Sequence, residues 1–173
     1  VISTQQITKA MKMVAAAKLR KSQDRITQMR PFAQKLAAIL QNLSSAQEAG
    51  SDNWYSVKRE EKRILIIAIS SDRGLCGSFN STVFKGVNKL IADKYEEQFR
   101  KGDVTVLPLG RKAFDFFSKR KVSVVDNYVG TIGHISYESV ADVAEYLMEA
   151  FKKGTFDKIE VVYNEFKNVA TQI

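Results

Sequence analysis

The chain has 173 residues, 45% of them hydrophobic and 27% charged, with a formal net charge of +8. That composition suits one full core with an appendage. It contains no run of about 18 apolar residues that could cross a membrane, and the lone Cys76 excludes an internal disulfide.

Thr4 to Glu48 contains no glycine and a single proline, Pro31, and predicts one long helix. From Ala15 a seam recurs at spacings of four and three: Ala15, Leu19, Ser22, Ile26, Met29, Ala33, Leu36, Leu40 and Leu43. That alternation is the heptad pattern of a coiled coil. Such a helix is roughly 68 Å long at 1.5 Å per residue. The remaining residues make a domain with a radius of gyration of about 13 Å. The expectation is a helix that projects from its domain and needs a partner for its seam. The seam keeps its phase across Pro31, which predicts a continuous helix with a kink there. Residues 1 to 48 carry eight cations against Asp24 and Glu48, which is +6 of the total +8. A basic rod points to an acidic partner, protein or nucleic acid, or to a solvated helix face. The section from Ile7 to Ala17 is dense in Ala and Met, which allow close approach and adapt to changing surfaces.

Residues 49 to 61 read as a polar linker around Trp54 and Tyr55. Arg63 to Ser70 is a continuous Ile-rich run, expected of a strand buried on both faces. The turn Ser71-Asp-Arg-Gly-Leu-Cys-Gly-Ser78 leads to a helix from about Asn80 to Phe99. Its core face is Val83, Phe84, Val87, Leu90, Ile91 and Tyr95. A second strand spans Asp103 to Leu109, a short helix Arg111 to Arg120, and a third strand Val122 to Val125. A helix from Ser136 to Lys153 is capped by Ser136, carries Glu138 in its first turn and ends at Gly154. Asp157 to Asn164 is a fourth strand, and a fifth begins at Val169. Alternating strands and helices predict an α/β fold: a Rossmann-like, mostly parallel sheet with helices on both faces, behind the long N-terminal coiled-coil helix. The domains expected are 1-50, the shaft helix, and 62-173, the α/β domain, truncated at its C-terminal end.

The residues offer little chemistry. Gly74 and Gly77 follow the first strand, where a phosphate would sit, but the loop is only G-x-x-G, and Asp72 stands beside it. The alternative to phosphate binding is a tight turn that presents Arg73. His134 has no partners of a catalytic or metal-ligating kind. Glu60 and Glu61 read as solvated linker charges, Lys119 to Lys121 as cations at a helix end, and Phe114, Phe116 and Phe117 as core. No catalytic residue, cofactor or metal is expected.

The segment Ile7 to Ile26 with Met29-Arg-Pro-Phe32, the segment Ser70 to Phe79, and Asp157 to Phe166 resemble the gamma subunit of rotary ATP synthases, bacterial-like and in the same order. The resemblance implies a non-enzymatic central-stalk subunit. Such a subunit couples proton flow through the membrane rotor to ATP synthesis or hydrolysis on the beta subunits. It implies that the N-terminal helix pairs antiparallel with a C-terminal helix of the same subunit, absent from this sequence along with the first N-terminal turns. It implies as partners the ring of alpha and beta subunits, the epsilon subunit and the membrane c-ring. The location implied is peripheral, on the cytoplasmic face of the bacterial inner membrane. Ring contacts are expected at Ile7, Lys9, Met11, Lys12, Lys18 and Arg73. A thiol-regulated plant type would need a cysteine pair. Two other readings stay open: a nucleic-acid-binding protein using the basic helix, and a nucleotide-binding Rossmann-like enzyme using the Gly74 loop.

Overall fold

The computed structural model describes residues 2–46, 55 and 59–167. The chain divides into two compact units, Val1–Asp52 and Asn53–Ile173.

The described residues of the first unit form a single helix, α1, Ile2–Ala46, 45 residues long with Pro31 inside it. Proline lacks one backbone donor and crowds the preceding turn, yet the helix runs through it. The flanking sequence is rich in strong helix formers, Ala, Lys, Gln, Arg and Leu, with no glycine to compete. The helix is therefore continuous, as the unbroken seam phase required.

The second unit is built on a four-stranded sheet in the order β3-β2-β1-β4. Its strands are β1 Ile64–Ile69, β2 Val104–Leu109, β3 Ser123–Val124 and β4 Lys158–Val162. Among the described residues the three strand pairings are parallel, with Ile64 opposite both Val104 and Lys158. β1 lies at the centre, and Ile64 to Ala68 are almost wholly buried. Its side chains alternate between two cores, which is why the run is continuously apolar. On one face Ile64, Ile66 and Ala68 pack with Val83, Val87, Ile91, Tyr95 and Phe117. On the other, Leu65 and Ile67 pack with Leu107, Ala150 and Phe156. The helices supplying these layers are α2 Phe79–Lys94, α4 Arg111–Phe117 and α5 Tyr137–Lys152. The fold is thus the expected α/β arrangement with helices on both faces.

The helix expected from Asn80 to Phe99 is two helices. α2 ends at Tyr95, whose φ of −124° leaves the helical region, and α3, Glu96–Lys101, follows. Tyr95 is fully buried and donates its hydroxyl to Glu160 Oε1 at 2.8 Å. That tertiary bond and the acidic pair Glu96–Glu97, favourable at a new N-terminus, explain the break. α3 ends at Gly102, whose φ of 83° is left-handed. α5 has the expected cap: Ser136 Oγ accepts from Ser139 N at 3.2 Å, and Ser139 Oγ accepts from Ser136 N at 3.1 Å.

Glu61 is corrected. It is no free linker charge: it lies 3.7 Å from Lys94 Nζ and 3.3 Å from Lys158 Nζ, beside the Lys94–Glu160 pair at 2.9 Å. The fifth strand at Val169, Trp54 and the Leu43 side chain fall outside the described residues.

Candidate functional site

Two surfaces carry the residues singled out in the sequence. The first is α1. Every side chain described there is exposed except that of Gln23, which is half-buried. The seam is open to solvent at Ala15, Leu19, Ile26, Met29, Ala33, Leu36 and Leu40. Leu19 is 43% exposed and Met29 65%. A line of Leu, Ile and Met at heptad spacing, all solvated, forgoes roughly 1.5–3 kcal/mol of burial at each large side chain. Ile7, Met11 and Lys18 are also exposed and recur at i, i+4 and i+11, so with Val14 they form one stripe. Lys9 and Lys12 are exposed but turn away from that stripe.

The second surface is the loop after β1. It lies at the carboxyl end of the sheet, where β2 leaves β1 on one side and β4 joins it on the other. Open α/β sheets bind ligands at such a switch point. Here the loop is bonded to its own surroundings. Three consecutive amides at the start of α4 donate to three consecutive loop residues. Arg111 N donates to Asp72 Oδ1 at 2.9 Å, Lys112 N to Ser71 O at 3.1 Å, and Ala113 N to buried Ser70 Oγ at 2.8 Å. Asn80 holds the other side: Ser71 N donates to Asn80 Oδ1 at 3.0 Å, and Asn80 Nδ2 donates to Ser71 Oγ at 2.9 Å. Gly110, at φ 114°, sits so close that a Cβ there would fall 2.3 Å from Ser70 O. Asp72 is therefore the acceptor that starts α4.

Beyond this anchor the loop projects Arg73, exposed as expected. Gly77 turns the chain at φ 60°, and Leu75 adopts φ 62° with its side chain wholly in solvent. The sequence reading missed Leu75. A left-handed leucine is uncommon and strained, and no local signal announces it.

The remaining candidates resolve as structure. Phe116 stacks on Phe84 with centroids 4.2 Å apart, and Phe117 meets Phe84 edge-on at 5.8 Å. Arg120 lies over Phe116 and donates to its carbonyl at 2.7 Å, which suits a cation at a helix end. His134 is exposed in the turn before α5. Among the described residues, no group of His, Cys, Asp and Glu is placed to hold a metal, and no helix is long and apolar enough to cross a membrane.

A long basic helix with an open apolar seam, joined in sequence to a parallel α/β domain, defines a protein class that works through contact with other chains. The comparisons specify which. A family model described as ATP synthase matches residues 1–173. The ATP synthase gamma chain of Cytophaga hutchinsonii is 48% identical over 171 residues, 99% of this chain and 58% of that protein. The ATP synthase gamma chain of Flavobacterium psychrophilum is 47% identical over 173 residues, again covering 58% of its length. A structure of the central stalk and c-ring of the Tetrahymena thermophila mitochondrial ATP synthase includes a similar chain. The TM-score is 0.65 at 27% identity, over 96% of this chain and 69% of that one. The chain belongs to the gamma-chain family of ATP synthases. It spans a little over half the length of the curated relatives it matches. None of these matches lends support to the nucleic-acid reading.

Proposed function

We propose that the protein of which this chain forms part is the central-stalk rotor subunit of a proton-translocating ATP synthase. In this reading it does no bond chemistry itself. It couples proton flow through a membrane c-ring to ATP synthesis or hydrolysis on beta subunits. Residues 1-50 are the shaft helix and 62-173 the α/β domain. The observation that carries this reading is the open seam of α1, in a chain that matches the gamma family from end to end.

The chemistry of each surface fits its role. The seam from Ala15 to Leu43 pairs with a C-terminal helix of the same subunit, absent from these 173 residues. Ile7, Met11 and Lys18 face the alpha–beta ring as a smooth, mostly apolar bearing, and Lys9 and Lys12 meet the surrounding ring from other faces of α1. Apolar contacts slide with low, even barriers, whereas ion pairs hold at fixed angles. The α/β domain meets an epsilon subunit and the c-ring, and Arg73 meets an acidic ring segment. The complex lies on the cytoplasmic face of the bacterial inner membrane.

The test is rotation. The full-length subunit, carrying Cys76→Ser and a fluorophore on Lys121→Cys, is assembled with the alpha–beta ring, and the ring is fixed to glass. ATP should drive stepwise turning of the label in one direction. A label that stays fixed while ATP is hydrolysed contradicts the proposal.

A further inference from the structure

Beside the junction of α2 and α3 the second unit holds a cavity of about 490 Å³. α2 supplies Ile91 and Ala92 to its lining, α3 supplies Phe99, α4 supplies Phe117, and Val122 enters just before β3. Ile91 and Phe117 are buried members of the larger core, and Phe99 and Val122 pack against that core. The recess therefore opens straight onto the hydrophobic interior. Interiors are close-packed, and voids larger than a water molecule are few. Ala92, exposed on the wall, contributes one methyl group where a longer side chain would fill the space. Small-molecule sites occupy roughly 300–1,000 Å³ and are mostly apolar with a few placed polar groups.

The polar groups of this cavity are Asn88, Glu96, Arg100 and Arg120. Arg100 pairs with Glu96 at 2.5 Å, so those two charges cancel. Arg120 is left over. Its guanidinium lies 3.3 Å from the Phe116 ring centroid and donates to the Phe116 carbonyl at 2.7 Å. A guanidinium carries five donors in a fixed fork, so most of the fork remains for a ligand. The ring and the carbonyl hold it in one orientation, which lowers the ordering cost of binding. Lys119 and Lys121 flank it, exposed, and none of the three makes an ion pair among the described residues.

The geometry points to this cavity as a binding site for a free, single-chained anionic amphiphile, with its carboxylate on Arg120 and its acyl chain against Ile91, Phe99, Phe117 and Val122. A carboxylate fits the guanidinium fork through two parallel hydrogen bonds. The chain displaces water from the open edge of the core. A cationic amphiphile would meet the uncancelled charge, and a wholly polar anion would leave the apolar walls wet. The site uses neither α1 nor the loop after β1, so it stands apart from the rotor reading.

The test titrates laurate, below its micelle threshold, into the full-length subunit by calorimetry. One laurate should bind per subunit. Dodecyltrimethylammonium, with the same chain length and the opposite head charge, should bind at least about tenfold more weakly. Ala92→Phe, an exposed substitution that fills the recess, should weaken laurate binding about tenfold or more, with little change in melting temperature. Arg120→Gln should weaken it about three- to tenfold and narrow the gap between the two heads. Lys152→Gln, on the opposite face of the sheet, removes the same charge and should leave binding within about twofold. Laurate binding by Ala92→Phe or Arg120→Gln at the wild-type affinity places the ligand elsewhere and overturns the site. Equal affinity for the two heads overturns anion recognition. Failure of the wild-type subunit to bind laurate overturns the proposal, whether or not the subunit adheres to phosphatidylglycerol vesicles. Laurate bound by the free subunit but excluded from the complete complex assigns the cavity to a side chain of a partner protein and also overturns it.

Discussion

Gly110 is the position where one atom matters most. Its φ of 114° and its contact with Ser70 leave no room for a side chain. Gly110→Ala should cost roughly 2–4 kcal/mol, from backbone strain and overlap together, read by urea unfolding of the full chain. A loss under about 0.5 kcal/mol, the scale of an ordinary surface change, would mean that the loop and α4 are not locked. Tyr95 and Glu160 form a second sensitive point. Burial pushes the Tyr95 phenol up to about 12. Burial also pushes Glu160 upward, but hydrogen bonds from Lys94 and Tyr95 outweigh it and hold the carboxyl below its ordinary value. Asp157 behaves alike: burial raises it, but hydrogen bonds from the Arg63 side chain and backbone outweigh that and hold it below its ordinary value. A carboxyl depressed in the folded state stabilises fully above its unfolded pKa and loses that contribution as pH falls through the folded one. Unfolded Asp and Glu titrate near about 4, so stability should fall steadily below that pH. In Glu160→Gln the acid-side slope of stability against pH, followed by urea midpoints, should be shallower. An unchanged slope would show that this carboxyl is not linked to folding.

Among the elements, α1 combines a continuous hydrogen-bonded backbone with exposed side chains on every face. Helices gain most of their stability from packing rather than propensity. In the chain alone, amides from Met11 to Leu19 should exchange far faster than those of β1, whose residues are buried on both sides. Protection of both segments to the same degree would mean that α1 is held by something other than a partner. The elements also show what a sequence discloses. β1 was legible because a strand between two helix layers must be apolar throughout. The boundaries of α5 were legible because Ser136 and Gly154 act locally. The break at Tyr95 was hidden because Ile91 and Tyr95 keep the helical period; only Glu96–Glu97 and Gly102 hint at a second helix. Asp72 read as a charge unfriendly to phosphate, yet it starts α4, a contact 39 residues away in sequence. The left-handed backbone and full exposure of Leu75 were not legible, because the loop's tertiary setting creates them.

At the scale of the whole molecule, the account is that this subunit transmits torque and performs no reaction. Met11 lies on the α1 stripe proposed to turn against the ring. A lysine there adds a charge able to pair with an acidic ring loop at some rotor angles and not at others. Unequal barriers of this kind should impair transmission before they impair chemistry. The most direct measurement follows ATP hydrolysis and proton pumping together, in membranes reconstituted with the complete complex carrying Met11→Lys in the full-length subunit. The account predicts hydrolysis near the wild-type rate with pumping per ATP clearly reduced. Equal loss of both activities, or ATP turnover by the isolated chain, would contradict it.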